Sequence, residues 1–402
     1  MRPGHAKPSK IFLHGARLSL FLRRNYPRFH PGKARSCVKQ NIVDFCKKLI
    51  DWYNENKRTL PWRETRDPYR IWLSETILQQ TRVAQGLPYY ERFIERFPTV
   101  GELALAEETE VLKLWQGLGY YSRARNLHKA AQIIHEKYQD RFPEDYPSIR
   151  ALPGIGDYTA AAIASFSYNL CYPVMDGNVI RVISRLHGIS EESTSQTCRR
   201  QIMNVLNKTI EPEHAGEFNQ AIMEFGALAC TPAAPSCLFC PFQTECYAFR
   251  QGVVDQLPVK KKKETLPLYE LHYLLIADKN GLWIHKRGYN DLWRGMFDLP
   301  SLPEIYWKSP QGDKAIAAEN ITGIEFLKHY TQVLSHRRLS IFFYKADAGS
   351  QIAKEALSGQ DGCRKVTWDD LGKLAVPRNM EKFFKDFNLT GQSGKKSPRP
   401  DL

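Results

Sequence analysis

The sequence lacks any run of apolar residues long enough to cross a bilayer, which takes about 20 residues, so we expect no membrane-spanning segment. It is also short of acidic residues: 57 Lys and Arg face 43 Asp and Glu, which gives a net charge of +14 at pH 7. A chain this basic usually binds a polyanion, most often a nucleic acid, although a basic surface coat is the alternative.

Acidic residues are absent from residues 1–35, which contain nine Lys or Arg. Such a segment is typical of a basic arm that contacts nucleic acid, or of an organelle transit peptide. A poorly ordered tail has the same composition. We expect residues 1–38 to be a basic, disordered extension, and organelle targeting by residues 1–35 stays open.

The chain also lacks a secretory signal peptide, and its nine cysteines are an odd number, so we expect no disulfide framework. Four of them follow the spacing C-x6-C-x2-C-x5-C, at Cys230, Cys237, Cys240 and Cys246. This clustering predicts a metal or iron–sulfur site in a reducing compartment. Structural zinc sites usually pair their cysteines as two short knuckles, and only one gap here is that short.

Two composition patterns divide the chain. From about Ile42 to Tyr247 apolar residues recur every three or four positions, which predicts a mainly helical region over residues 39–250. Residues 251–267 include four consecutive lysines and predict a charged linker. Residues 268–385 then predict a small α/β domain, with a hairpin formed by LHYLLIA and LWIHKR and a strand at 339–346. We expect residues 386–402 to be a disordered tail.

The stretch LPGIGDYTAAAI interrupts a helical pattern and restarts it at once. We expect a helix from near Ser148 to Leu152, a break at Pro153 and Gly154, and a second helix capped by Asp157. The free N–H groups at the start of the second helix would bind an anion such as a DNA phosphate, and Gly156 would allow a close approach. The pattern predicts a helix-hairpin-helix over residues 148–168, although ordinary tight turns between helices also contain Pro and Gly.

Two carboxylate side chains are candidates for catalysis, one as a general acid and the other as a fixed anion. Glu75 shares a helix face with Ile71 and Leu78, and burial there would raise its pKa, as a general acid requires. The alternative is a glutamate at the edge of the apolar stripe, or one paired with Arg82. Asp176 lies where a turn meets a helix, and as an N-cap it would stay ionised. A protonated acid with a fixed anion suits cleavage of a glycosidic bond.

Several stretches together resemble one family: LPWR (60–63), WLSETILQQT (72–81), LWQGLGYYSRARNL (114–127), LPGIGDYTAAAI (152–163), DGNVIRV (176–182) and the cysteine loop. From about residue 40 to 380 the chain resembles the adenine DNA glycosylases of the MutY type, in the endonuclease III or helix-hairpin-helix superfamily. The resemblance implies a monofunctional hydrolase that removes adenine mispaired with 8-oxoguanine or guanine in double-stranded DNA, and so initiates base excision repair. It also implies a monomer, with a bacterial-type cytoplasmic, nucleoid-associated location.

The resemblance assigns roles by position. Glu75 matches the catalytic acid, Asp176 the carboxylate that stabilises the sugar intermediate, and Tyr158 and Asn178 the residues beside the reacting sugar. The residues that match DNA and base contacts are Arg58, Leu60, Trp62 and Arg63 in the adenine pocket, Gln80 and Tyr120 in the wedge, and Gly154 and Gly156 in the hairpin. The four cysteines of the loop match the ligands of a [4Fe-4S] cluster.

The C-terminal domain resembles the Nudix-like lesion-recognition domain of this family. Ser335 and His336 match its contacts to 8-oxoguanine, whereas Leu334 stands where a phenylalanine is common. The acidic helix of true Nudix hydrolases is absent from the sequence, so we do not expect nucleotide hydrolysis.

Three alternatives stay open. Bifunctional endonuclease III-type enzymes attack the sugar with a lysine at the position of Tyr158, and a tyrosine cannot form that imine. A non-catalytic DNA clamp would not need both Glu75 and Asp176. A nucleotide hydrolase would need the missing acidic helix.

Overall fold

The protein is described here from a computed structural model that covers residues 36–261, 265–288, 291–308 and 323–389, with side chains from residue 44 onward. Contacts divide the chain into two compact units, Met1–Phe45 and Cys46–Leu402. The structure describes residues 36–45 of the first unit, and these residues are the start of the first helix. Most of the predicted N-terminal extension and the tail beyond residue 389 lie outside the described residues.

Residues 36–250 form helices and turns without a β-strand, as the apolar periodicity predicts. The helices are α1 (Ser36–Asn56), α2 (Pro68–Leu78), α3 (Val83–Arg96), α4 (Val100–Leu105), α5 (Glu108–Trp115), α6 (Ser122–Tyr138), α7 (Tyr146–Arg150), α8 (Asp157–Tyr168), α9 (Gly177–His187), α10 (Gln196–Thr209), α11 (Ala215–Leu228) and α12 (Tyr247–Arg250).

The starts of α2 and α9 follow directly from their sequences. Asp67 accepts a hydrogen bond from the backbone N–H of Tyr69 at 2.9 Å, and Pro68 occupies the first helical position, where its missing N–H costs nothing. Asp176 caps α9 in the same way, because its Oδ1 accepts from the backbone N–H of Val179 at 2.8 Å. Both candidate carboxylates are therefore held by well-defined helices.

The hairpin between α7 and α8 differs in detail from the prediction. Helix α7 ends at Arg150, two residues before Leu152, and the N-cap of α8 is Gly156. Asp157 is not the cap, because it already belongs to the first turn of α8, and its carboxylate instead accepts from Nε of Arg150 at 2.6 Å. The N-terminal N–H groups of α8 thus carry no side-chain cap.

Residues 268–389 form the predicted α/β domain. Its elements are β1 (Leu268–Asp278), β2 (Gly281–Lys286), β3 (Phe297–Asp298), β4 (Glu325–Val333), β5 (Arg338–Ala346), α13 (Gln351–Ser358), β6 (Cys363–Val366), α14 (Trp368–Leu371) and α15 (Arg378–Asp386). The strand order is β3-β2-β1-β5-β4, and β6 also pairs with β2. Strands β1 and β5 are parallel and the other pairs antiparallel, so the sheet is mixed, and the β1–β2 hairpin is confirmed.

The helical region and the C-terminal domain share one buried apolar cluster. It includes Trp72 and Trp115 from the helices and Tyr273, Phe343 and Phe383 from the domain. The end of α5 also contacts the domain directly, since Nζ of Lys113 donates to the carbonyl of Leu374 at 3.0 Å.

The first part of the predicted linker bonds to the helical region. The carbonyl of Leu257 accepts from Nε of Arg185 at 3.0 Å, and that of Val259 accepts from the N–H of Ser193 at 2.9 Å.

Candidate active site and nucleic-acid interface

One wide cavity in the helical region contains half of the predicted site residues. Helix α2 contributes to its wall, together with the starts of α8 and α9 and the middle of α11. The predicted residues that line it are Arg58, Leu60, Trp62, Arg63, Glu75, Gln80, Tyr158, Asp176 and Asn178. Stretches that lie up to about 170 residues apart in sequence thus meet around one space.

Glu75 lies in the cavity wall and is 7% exposed. Its Oε2 accepts a hydrogen bond from the hydroxyl of the half-buried Tyr158 at 2.7 Å, so its partner is Tyr158 and not Arg82. Burial raises the pKa of Glu75 to about 7, and the bond from Tyr158 opposes part of that rise by stabilising the carboxylate. The glutamate can therefore give or take a proton near neutral pH.

Asp176 combines a cap with burial. Its Oδ1 accepts from the N–H of Val179 and its Oδ2 from Nδ2 of Asn178, each at 2.8 Å. These bonds favour the carboxylate, as expected of a cap. Burial nevertheless outweighs them and raises the pKa of Asp176 above its ordinary value, although the bonds of the cap oppose the rise and favour the ionised form that the sequence predicts.

Hydrogen bonds connect Asp176 to the cysteine loop. Oδ1 of Asn178 accepts from Nη2 of Arg181 at 2.8 Å, and Nε of Arg181 donates to the carbonyl of Cys230 at 2.7 Å. Helices α9 and α11 are in close contact here, since a Cβ on Gly226 would lie 2.6 Å from Cβ of Asn178. The loop is therefore attached to the same helix that holds the candidate anion.

A carboxylate that the sequence reasoning missed, Glu224 of α11, lies in the wall of the same cavity. Its side chain is 1% exposed, and it accepts two hydrogen bonds each from the guanidinium groups of Arg58 and Arg63, at 2.5–2.8 Å. Burial opposes the charge, but these bonds hold the pKa of Glu224 at about 2. The signal in the sequence was one acid in an otherwise apolar stretch, QAIMEFGALA.

Both predicted wedge residues have a left-handed backbone. Gln80 has φ +57° and Tyr120 has φ +48°. Residues other than glycine adopt this left-handed region at a cost in conformational free energy. Both side chains are exposed, Tyr120 to 46%. Four other described non-glycine residues also have a positive φ, namely Gln139, Asp140, Asn169 and Asn388.

The hairpin glycines are also accounted for. Gly154 has φ +77°, and a Cβ there would lie 2.6 Å from Cβ of Asn126, so both backbone angle and space require glycine. No atom lies within 4 Å of a Cβ built on Gly156, which leaves the N-terminus of α8 open to an approaching group.

The four cysteines line a common cavity that also includes Arg185. The guanidinium of Arg185 donates to the carbonyls of Thr231 and Pro232 and lies 3.4 Å from Sγ of Cys230. Among the described residues no group of three or more His, Cys, Asp or Glu side chains could hold a single metal ion. Four thiols around one space are a ligand set that can hold an iron–sulfur cluster or a zinc ion.

Ser335 and His336 do not line the catalytic cavity. They lie in the turn between β4 and β5, where both are exposed and Oγ of Ser335 lies 2.8 Å from Nδ1 of His336. Leu334 precedes them and is half-buried, and its N–H closes the turn by donating to the carbonyl of Arg337.

No helix among the described residues is long and apolar enough to cross a membrane.

Comparison with known proteins agrees with this geometry. Residues 73–208 match a family model described as the HhH-GPD superfamily of base excision DNA repair proteins, and residues 272–386 match a NUDIX domain. The chain is 32% identical to the adenine DNA glycosylase of Buchnera aphidicola subsp. Acyrthosiphon pisum, over 85% of this chain and 97% of that protein. It is 30% identical to the adenine DNA glycosylase of Rattus norvegicus, over 86% of this chain and 78% of that protein.

A solved structure has a similar helical region. It is a thermostable thymine-DNA glycosylase, which aligns with a TM-score of 0.50 and 25% identity over 54% of this chain and 100% of its own. Since the curated relatives also cover the C-terminal domain, the chain belongs to the adenine DNA glycosylases and is a DNA glycosylase that initiates base excision repair.

Proposed function

We propose that this enzyme hydrolyses the N-glycosidic bond of adenine mispaired with 8-oxoguanine or guanine in double-stranded DNA, and leaves the strand uncut. The observation that carries the proposal is the pair of carboxylates in one cavity, the buried Glu75 with a pKa of about 7 and the half-buried Asp176. A target base inside a duplex must first be extruded into that cavity before its bond to the sugar can be reached.

Glu75 supplies the proton in this mechanism. With a pKa of about 7 it is protonated in a large fraction of molecules at neutral pH, and it can donate to a ring nitrogen of the extruded adenine. Protonation converts adenine into a neutral leaving group. The resulting carboxylate, still bonded to the hydroxyl of Tyr158, can then accept a proton from the attacking water.

Asp176 supplies the negative charge. As the base leaves, the sugar gains oxocarbenium character, and a fixed carboxylate stabilises that cation. The hydrogen bonds from Asn178 and Val179 hold the carboxylate in one orientation before the reaction begins. Preorganisation of this kind avoids reorientation during the reaction.

The wall around Glu224 suits recognition of adenine. Glu224 already accepts five hydrogen bonds from Arg58 and Arg63, so it fixes the two guanidinium groups rather than contacting the base. Guanidinium N–H groups that do not bond to Glu224 would donate to the acceptor nitrogens of adenine. The buried rings and chains of Trp62 and Leu60 offer an apolar surface for a purine face.

Extrusion would involve the wedge and the hairpin. Gln80 and Tyr120 are exposed and would fill the gap that the base leaves, while the uncapped N-terminus of α8 after Gly156 would bind a phosphate. Tyr158 occupies the position at which a lysine would be needed for strand cleavage, so an abasic site remains as the product.

Two further assignments complete the proposal. Ser335 and His336 would contact 8-oxoguanine, since their exposed polar groups can reach a base that stays in the duplex. Cys230, Cys237, Cys240 and Cys246 would hold a [4Fe-4S] cluster, whose thiolate bonds would fix the loop beside α9.

A single-turnover assay tests the reaction. Duplexes with adenine opposite 8-oxoguanine or guanine should break at the adenine only after alkali treatment, and a duplex with an oxidised pyrimidine should stay intact. Breaks without alkali, or breaks at the pyrimidine, would assign the enzyme to the bifunctional type instead. A purified protein without yellow-brown absorbance would contradict the cluster.

A further inference from the structure

Two separate loops carry the exposed residues Gln80 and Tyr120. The first follows the C-terminus of α2, and the second joins α5 to α6. They are about 40 residues apart in sequence, and both residues have a positive φ. Something in the fold must hold both backbones in this conformation.

One half-buried side chain, that of Arg123 in α6, bonds to both loops. Its Nη1 donates to the carbonyls of Thr76 and Ile77 at 2.9 Å and to that of Gln79 at 2.6 Å. Its Nη2 donates to the carbonyl of Gly119 at 3.3 Å. A single planar guanidinium therefore ties the end of α2 to the α5–α6 turn.

The accepting carbonyls are the ones that matter for the backbone angles. The carbonyl of Gln79 belongs to the same planar peptide as the nitrogen of Gln80, and that of Gly119 shares a peptide with the nitrogen of Tyr120. Fixing the oxygen of a peptide fixes the plane and so restrains φ of the next residue. Arg123 thus acts on the angles of both exposed residues.

The surroundings of Arg123 support a fixed, charged group. The carbonyls at the C-terminus of α2 are the negative end of a helix dipole and favour a cation. The guanidinium also lies 5.0 Å from the ring centre of Trp115, whose Nε1 donates to the same carbonyl of Gly119 at 3.0 Å. Burial lowers the pKa of Arg123 to about 10, which still leaves it charged at neutral pH.

We propose that Arg123 is a positioning residue for base extrusion, which sets Gln80 and Tyr120 together through the peptides that precede them. The inference rests on the proposed wedge role of these two residues. A lysine would keep the charge at this position but could not bridge both loops, because it lacks the planar fork of donors.

A double-mutant cycle tests this coupling. Extrusion is measured by the fluorescence of 2-aminopurine at the target position, in a Glu75→Gln background that prevents base release, and base release is measured separately with intact Glu75. Arg123→Lys should lower both extrusion and single-turnover rate by about 10-fold in the otherwise unchanged chain. The same substitution should change them by less than about 2-fold in a chain that also carries Gln80→Ala and Tyr120→Ala.

Arg96→Lys is the matched control, because Arg96 pairs with Glu110 at a partly exposed position. Arg96→Lys should leave base extrusion and the single-turnover rate unchanged. The melting temperature of every variant is recorded to show that it is folded. An equal loss from Arg123→Lys with and without the two wedge side chains would overturn the positioning role alone. Normal extrusion by the chain that lacks both wedge side chains would instead overturn the wedge assignment, and the inference with it.

Trp115→Phe gives a second route if Arg123→Lys does not fold. It keeps a ring in the core but removes the donor to the carbonyl of Gly119. Extrusion should fall, and the fall should disappear in a Tyr120→Ala background. A fall of the same size in that background would contradict coupling through the peptide of Tyr120.

Discussion

The catalytic cavity and the β4–β5 turn present their polar groups in opposite ways. Glu75 is 7% exposed and Glu224 is more deeply buried still, and each is held by side chains from distant parts of the helical region. Ser335 and His336 are exposed, and the bond shown between them joins neighbours in sequence.

The difference agrees with the two roles proposed for these regions, proton donation and recognition of the opposite base. A general acid near neutral pH needs an environment that disfavours its charge, and only burial among several elements provides that. A residue that inspects a base within a duplex needs reach and free donors or acceptors, which burial would remove. We therefore expect substitutions in the cavity to affect every substrate, and substitutions in the turn to affect the choice between substrates.

The largest effect is expected for Glu75→Gln. Loss of the group proposed to protonate the base should slow single-turnover base release by about 1,000-fold or more, on 8-oxoguanine and guanine duplexes alike. Mismatched duplex should still bind in a gel-shift assay. Glu144→Gln, at an exposed position, is the control. Substantial remaining activity would remove Glu75 from the acid role.

Asp176→Asn should follow in size. Asparagine can still cap α9, so the helix should persist while the negative charge beside the sugar is lost. Base release should fall by about 100-fold to 1,000-fold on both substrates. Asp145→Asn changes a comparable cap of α7 and should be nearly neutral. A variant of Asp176 that folds and reacts at a similar rate would contradict its role.

His336→Ala should separate the two regions most clearly. Removal of one hydrogen-bonding group should lower the preference for 8-oxoguanine over guanine by about 5-fold to 10-fold, with little change in the rate on guanine duplexes. Rates are measured on both duplexes under single-turnover conditions. His135→Ala, in the helical region, is the matched histidine control. An equal loss on both duplexes would mean that the turn serves general binding.

Tyr158→Phe should have the smallest effect at neutral pH. Since the hydroxyl of Tyr158 stabilises the carboxylate of Glu75, its removal should raise the pKa of Glu75 above about 7. The acid form then persists to higher pH, so the falling limb of the pH–rate profile should move to higher pH. Tyr168→Phe provides a comparison outside the cavity. A limb that stays in place or moves to lower pH would show that another group controls it.

Local sequence signals predicted the individual elements well. Asp67 and Asp176 were recognisable as helix caps. The stripe formed by Ile71, Glu75 and Leu78 left open whether Glu75 is buried or lies at the edge, and the structure shows that it is buried. The hairpin was also recognisable, although Gly156 and not Asp157 is the cap. Such signals depend on backbone geometry within one or two turns, which a few neighbouring residues specify.

The features that could not be predicted depend on residues that lie far apart in the sequence. Glu224 was missed because its partners, Arg58 and Arg63, are 166 and 161 positions away. The raised pKa of Asp176 was missed because the bonds of a cap are local, whereas burial depends on the elements that surround it.

By itself the sequence determined the helices and strands, the two carboxylates, the four grouped cysteines and the family. Only the tertiary structure showed that burial raises the pKa values of those two carboxyl groups. It alone also showed that Arg123 joins the loops of Gln80 and Tyr120. The physical reason is that helix starts and turns follow from short-range backbone sterics and hydrogen bonds. Desolvation and contacts between loops exist only once remote segments of the chain have packed together.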